Sequence, residues 1–158
     1  HFRIKSFSDE NECDLLRNFI QTLEKSFSPH VFLCGHNVKE FDIPYINRRL
    51  LVNGISLPRV LNVLGKKPWE TNFIDTMEMW KFGDFKAYTS LKLLTHIFSI
   101  PTPKDDIDGS QVAEVYYIEK NIKRIVTYCE KDVLATAQLY LKMTGNSIIK
   151  DENIKIVT

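Results

Sequence analysis

The chain has 158 residues, 44% of them hydrophobic and 26% charged, with 6 Gly and 6 Pro, the composition of one globular domain and not of a disordered or fibrous chain. At this length a fold buries about 68–70% of the surface its unfolded chain exposes, so a core is available without disulfides or a structural metal. The 21 Lys and Arg balance 20 Asp and Glu for a formal net charge of +1, which excludes a blanket basic surface but leaves room for a local basic groove.

Cys13, Cys34 and Cys129 are widely spaced, with no Cys-x-x-Cys and no Cys/His cluster. The sequence therefore predicts small buried hydrophobes in a reducing compartment, not a disulfide framework or a zinc site. No apolar run approaches the roughly 18 residues of a membrane span and no signal peptide opens the chain, so it reads as cytoplasmic, without a membrane partner. His1 is not an initiator Met, and the first residues enter a strand-like pattern at once. The expectation is one domain over 1–158 that begins inside its fold.

Phe2 and Ile4 alternate with Arg3 and Lys5, which predicts a half-buried strand whose partner lies far along the chain. Ser8, followed by Asp9, Glu10 and Glu12, predicts the start of a helix with Leu15, Leu16, Phe19, Ile20 and Leu23 on its apolar face, through about Lys25. After the Ser28-Pro29 break, Val31 to Gly35 is a continuous apolar run, the pattern of a strand buried on both faces. Asp42 and Pro44 predict an N-cap and an early proline for a helix that carries Tyr45, Ile46, Leu50 and Leu51 and ends at Asn53-Gly54.

Asn72 to Thr76 reads as a third strand, followed by an aromatic-rich connection of unassigned structure. Ser90 caps a helix with Leu91, Leu94, Ile97 and Phe98 facing inward, stopped at Ile100-Pro101, and His96 on it reads as packing. A polar loop from Pro101 to Gly109 leads to a short helix over Ser110 to Ile118. A long helix ends near Gly145, with Ile122, Ile125, Val126, Cys129, Val133, Ala137 and Tyr140 as its apolar stripe. The last residues form a further strand or an ordered tail. Strands interleaved with helices define an α/β chain.

Two segments are candidates for chemistry. Asn37-Val38-Lys39-Glu40-Phe41-Asp42 lies where an apolar strand gives way to a helix, the place where carboxylates point into a cleft at the end of a sheet. Within the long helix, Tyr128 and Asp132 are four residues apart, on one face and about 5–6 Å apart at Cβ. Each alone has a structural explanation, Asp42 as a helix cap and the Tyr/Asp pair as a solvated pair. Together, a strand-end Asn-x-x-x-Phe-Asp followed by a helical Tyr-x-x-x-Asp resembles the second and third motifs of the DEDD superfamily of 3'-5' exonucleases, in the subfamily marked by that tyrosine. The resemblance runs from about Phe2 to Met143. It is closest to the predicted exonucleases related to the proofreading domain of family B DNA polymerases, and Asp108-Gly109-Ser110-Gln111-Val112, Gly54 to Pro58 and Tyr128 to Thr136 also look like that family.

The resemblance implies an RNase H-like mixed sheet flanked by helices and a two-metal mechanism on Mg²⁺ or Mn²⁺, hard cations that take carboxylate oxygens. It implies Asp42 and Asp132 as metal ligands, Tyr128 as the holder of the attacking water, and Asn37 and Phe41 at the terminal nucleotide. For Phe41, base stacking and core packing stay open as readings. The implied activity is removal of nucleotides from 3' ends of single-stranded DNA, in repair or proofreading. The family also carries an Asp-x-Glu on a first strand that this sequence does not show. Its nearest look-alike, Asp75-Thr76-Met77-Glu78, has the wrong spacing and order, and Asp75 reads as a structural or groove residue. The expectation is therefore that the first strands lie upstream of His1. The alternatives are a catalytically inactive nucleic-acid-binding module of the same fold, or an RNA exonuclease. Scattered Arg48, Arg49, Lys66, Lys67, Lys81, Lys86, Lys92, Lys104, Lys123 and Arg124, with Trp69, Trp80, Phe82, Phe85 and Tyr88, would suit single-stranded nucleic acid near a cleft, or else form a solvated face. His36 reads as a hydrogen-bonding residue.

Overall fold

The structure is a computed structural model that describes residues 1–26, 28, 30–84, 86, 88–101 and 106–157. In chain order the elements are β1 (Phe2–Lys5), α1 (Glu12–Ser26), β2 (Leu33–Gly35), α2 (Asp42–Val52), β3 (Phe73–Asp75), α3 (Thr76–Lys81), α4 (Leu91–Ile97), α5 (Val112–Tyr117), α6 (Ile122–Met143) and β4 (Ile154–Val157). They gather into two compact units, one of residues 9–82 and one of 1–8 with 83–158. Lys104, Phe85 and part of the expected polar loop lie outside the described residues.

In the unit of residues 9–82, α1 is capped by Asn11, whose Oδ1 accepts from the backbone N–H of Cys13 at 2.9 Å and of Asp14 at 3.3 Å. The expected start at Ser8 is thus three residues early, because the amide acceptor at Asn11 satisfies the first free N–H groups of the helix. Leu16 and Ile20 of α1 pack with Val38, Ile43, Leu50, Val60, Leu61 and Phe73 in one core. Leu50 and Leu61 are 0% and 1% exposed, and burial of each contributes about 1.5–3 kcal/mol.

Glu12 at the start of α1 is held by the Arg49 guanidinium of α2, with Nε at 2.6 Å from Oε1 and a second contact from the other side of the fork, and by Asn53 Nδ2 at 3.0 Å. These bonds, Arg49 first, lower the carboxyl from 4.5 to about 2. A depressed carboxylate adds stability that is fully present above about pH 4.5 and lost as the pH falls toward 2. Because the pair is partly solvated, Glu12→Gln is expected to lower stability at pH 7 by about 0.5–1 kcal/mol. Urea titrations should show wild type and variant converging at acid pH. A pH-independent difference would contradict this assignment.

β2 and β3 pair in parallel with Leu33 opposite Phe73, Cys34 opposite Ile74 and Gly35 opposite Asp75. The expected doubly buried strand is shorter and one-sided, since Phe32 is 55% exposed and Cys34 is exposed as well. The reason is pleat geometry: β2 packs Leu33 on the core and turns its alternate residues to solvent. Gly35 ends the strand at a point where a β-carbon would stand 2.5 Å from Val38 Cβ, so only glycine lets the chain fold back over itself there.

In the other unit, β1 pairs in parallel with β4, Phe2 opposite Ile154 through Lys5 opposite Val157. The long-range partner that β1 required is thus the C-terminal segment. Among the described residues, the strands form two separate parallel pairs instead of one mixed sheet. Each pair joins segments distant in sequence, as parallel pairing demands a crossover. Ile4, Leu94, Ile100, Val115, Ala135 and Leu139 are buried. Gln138 on α6 donates from Nε2 to the Ile149 carbonyl at 2.8 Å and accepts from the Ile149 N–H at 2.7 Å, docking the chain that leads into β4. Ser90 Oγ caps α4 through the Leu93 N–H, as the sequence indicates. Ile97 is nevertheless 50% exposed and His96 is exposed, because Thr95 takes the buried position beside Leu94.

The packed face of α6 is displaced from the expected apolar stripe, whose Ala137 and Tyr140 are half-buried. Ile122, Cys129 and Val133 face solvent, Ile125 and Val126 are half-buried, and Ala135, Gln138 and Leu139 are buried. The packed face is the one on which Tyr128 and Asp132 stand, at i, i+4, i+7 and i+11 with Ala135 and Leu139. The cysteines, too, depart from expectation: Cys34 and Cys129 are exposed and Cys13 is half-buried. Among the described residues, no helix is long and apolar enough to cross a membrane.

Candidate functional site

In the unit of residues 9–82 the site is organised by Asp75, at the carboxyl end of β3 and 4% exposed. Its Oδ1 accepts from the N–H groups of Asn37 at 2.9 Å, Met77 at 3.0 Å and Glu78 at 3.4 Å, and its Oδ2 from that of Lys39 at 3.1 Å. One carboxylate thus caps α3 and pins the loop that follows β2. Asp75 is a structural residue, its lone pairs spent on backbone N–H groups. α3, which the sequence reading left as an unassigned connection, secures the same loop from outside through Lys39–Glu78 at 2.5 Å and Lys81–Glu40 at 3.9 Å. His36 joins this frame as expected, its Nδ1 2.9 Å from Thr76 Oγ1, which donates to the Gly35 carbonyl at 3.2 Å.

The pinned loop brings Asn37, Phe41 and Asp42 together. Asn37 sits at φ 63°, a left-handed conformation that Asn tolerates, and its buried Oδ1 has no hydrogen-bond partner among the described residues. Phe41 is 61% exposed, which removes the core reading, and it stacks on Tyr45 one turn along α2 with centroids 6.2 Å apart and planes 11° from parallel. Tyr45, 55% exposed, is a member of this aromatic pair that sequence reading missed; its spacing of four residues from Phe41 was the available signal.

Asp42 is not the N-cap of α2. Phe41 occupies that position with no side-chain cap bond, so Asp42 begins the first turn as an exposed residue whose carboxyl is partly desolvated. Desolvation first, and then the Asp75 charge, raise its pKa above the ordinary carboxylate value, against a lowering by its own backbone N–H and His36. On β2, desolvation and the Asp75 charge push the Cys34 thiol up to about 11, which disfavours its thiolate.

In the unit of residues 1–8 and 83–158, Tyr128 and Asp132 are both half-buried on α6. The Asp108 to Val112 segment lies against the tyrosine: a β-carbon on Gly109 would stand 3.8 Å from the Tyr128 hydroxyl. That segment is self-braced. Asp108 Oδ1 accepts from Ser110 N–H at 2.8 Å and Ser110 Oγ at 2.5 Å, which lower its pKa, and Asp108 N–H donates to Gln111 Oε1 at 3.0 Å. Ser6 Oγ of the β1 segment donates to Glu130 Oε1 at 2.7 Å and ties down the next turn. Beside Tyr128 is a cavity of about 370 Å³ bounded by Lys123, Arg124 and Lys131. Asp106 and Glu119 ion-pair with Arg124 there.

The five residues singled out by sequence therefore fall as Asn37, Phe41 and Asp42 in one unit and Tyr128 and Asp132 in the other. Among the described residues no three His, Cys, Asp or Glu side chains gather as a metal cluster. The donors available are hard carboxylate oxygens, of the type Mg²⁺ and Mn²⁺ take, but the described residues do not form a complete metal site by themselves.

The chain is thus α/β with short parallel strands, and it carries the strand-end Asp42 and the Tyr128-x-x-x-Asp132 helix that the sequence singles out. Residues 1–152 match the family described as predicted 3'-5' exonuclease related to the exonuclease domain of PolB, and the chain belongs to that family. No curated protein and no solved structure matches the chain.

Proposed function

We propose that the chain is the core of a divalent-metal-dependent 3'-5' exonuclease that acts on 3' ends of single-stranded DNA in repair or proofreading, with the RNase H-like arrangement of that class. The observation that most supports this reading is the state of Asp42: a carboxylate at the start of α2, unused as a helix cap, whose ionised form is disfavoured by partial desolvation and by Asp75. A cation beside it would relieve that penalty. In this reading Asp42 and Asp132 supply carboxylate oxygens, and Tyr128 orients the attacking water through its hydroxyl. Phe41, with Tyr45, offers a face on which the terminal base stacks, and Asn37 borders it. Bound Mg²⁺ or Mn²⁺ would relieve charge on the attacking and leaving oxygens of the phosphodiester.

The Asp-x-Glu pair of the resemblance is absent from residues 1–158, so the assay belongs on the complete gene product. The expected result is Mn²⁺-dependent release of mononucleotides from a 3'-labelled single-stranded oligonucleotide. The metal is tested independently by thermal denaturation. A carboxyl whose pKa is raised on folding costs stability above its ordinary titration range, so Asp42→Asn is expected to be no less stable than wild type at pH 7 without metal. Millimolar Mn²⁺ should raise the wild-type midpoint by about 3 °C and the variant's by much less. Equal shifts in both proteins would remove Asp42 from the metal site. A second reading, a nucleic-acid-binding module of the same fold without cleavage, rests on the lack of an Asp-x-Glu in residues 1–158, and metal-dependent cleavage excludes it.

A further inference from the structure

We propose that the loop between α2 and β3 is a second contact surface for single-stranded nucleic acid, with Arg59 and Lys66 holding the phosphodiester backbone and Trp69 stacking a base. The surface lies at the opposite end of the β2–β3 pair from Asp42. Thr71 and Asn72, which border it, lead into the Leu33–Phe73 end of the strands, whereas Asn37 and Asp42 follow the Gly35–Asp75 end.

The loop is built to hold these side chains outward. The Pro58 carbonyl accepts from the N–H groups of Leu61 and Asn62, both at 3.0 Å, closing a turn. Val60 and Leu61 enter the core at 8% and 1% exposure, and Asn47 Nδ2 grips the Leu61 carbonyl at 2.8 Å. Arg59, between buried Pro58 and Val60, is thereby fixed on the outer side. Further along, Gly65 turns the chain at φ 72°, and Glu70 accepts from the Lys67 N–H at 2.7 Å while its own N–H donates to the Lys67 carbonyl at 2.9 Å.

Two adjoining depressions of about 590 and 410 Å³ share Arg59, Lys66 and Glu70 as walls. Glu70 is their one lining acid among the described residues, and its carboxylate already serves Lys67. Among the described residues neither Arg59 nor Lys66 forms an ion pair. Two such cations, against one lining acid, in a concave surface suit a polyanion. Trp69 narrows the class: it is 77% exposed, with Lys67 Nζ 5.2 Å from its ring. An exposed indole with a lysine over its ring, on the same loop as Arg59 and Lys66, suits a strand that alternates phosphates with flat bases. The proposal rests on the nucleic-acid reading of the chain but not on cleavage.

The test is fluorescence anisotropy with labelled oligothymidylates of 12 and 3 nucleotides in EDTA, over a range of NaCl concentrations. Arg59→Glu/Lys66→Glu is expected to weaken binding of the 12-mer about tenfold or more. It should also reduce the slope of log affinity against log salt by about 1.4, the value for two phosphates of a single strand. Trp69→Phe should remove most of the quenching of tryptophan emission by the 12-mer, leaving at most that of Trp80. All these positions are exposed, and an unchanged melting temperature verifies the fold. Affinity and slope equal to wild type in the double variant overturn the proposal. So does tighter binding of polyglutamate than of the 12-mer, which would make the surface a site for an acidic protein. If the complete protein fails to cleave while the double variant still loses the 12-mer, the surface stands and the exonuclease reading falls.

Discussion

Asp132→Asn is expected to abolish mononucleotide release by the complete protein, a loss of about 10³-fold or more, because in the proposed mechanism it removes one charged metal ligand and with it several kcal/mol of transition-state stabilisation. Tyr128→Phe keeps the ring on its half-buried face and removes only the hydroxyl near Gly109, so its loss should be smaller, about 10- to 100-fold. Single-turnover cleavage of a 3'-labelled oligonucleotide measures both, and melting temperatures within a degree or two of wild type show that the fold is intact. Full activity in Asp132→Asn would end the assignment. A Tyr128→Phe loss equal to that of Asp132→Asn would mean that the hydroxyl does more than orient water.

Asp75→Ala should be the most destabilising single change at the site without touching substrate. It strands the N–H groups of Asn37, Lys39, Met77 and Glu78, and Asp75 itself is 4% exposed. Losing a buried, charge-assisted acceptor of several bonds costs about 3 kcal/mol. That corresponds to a fall of about 6–12 °C in melting temperature for a chain of this size. Asp75→Asn retains one acceptor oxygen and should fall less. Amide hydrogen exchange should accelerate at Asn37 and Lys39 before the rest of the unit opens. A midpoint within a degree of wild type would mean that α3 and the Lys39–Glu78 and Lys81–Glu40 pairs hold the loop unaided.

Much of the local structure was legible because it rests on local chemistry. The hydroxyl of Ser90 caps α4, and Asn53-Gly54 terminates α2 with Gly54 at φ 67°. Short elements were not legible. The six residues of α3 carry too little periodicity to be told from a turn, and their cap, Asp75, also serves residues 36 and 38 positions earlier in the chain. Which face of a long helix turns inward is no local matter either. α6 offers apolar residues nearly all round, and its packing against β1, α4 and α5 buries Ala135 and Leu139 and leaves Ile122 and Val133 in solvent.

The candidate residues themselves were determined by sequence: Asn37, Phe41, Asp42, Tyr128 and Asp132 stand at spacings that a strand end and a helix turn fix directly. Tertiary structure decided what each carboxylate is free to do. Asp75 and Asp42 are the same chemical group near the ends of neighbouring elements. One is consumed because four backbone N–H groups converge on it in a buried site, and the other stays available because Phe41 occupies the cap position in its place. That difference arises from the convergence of segments distant in sequence, which no single stretch of the chain encodes.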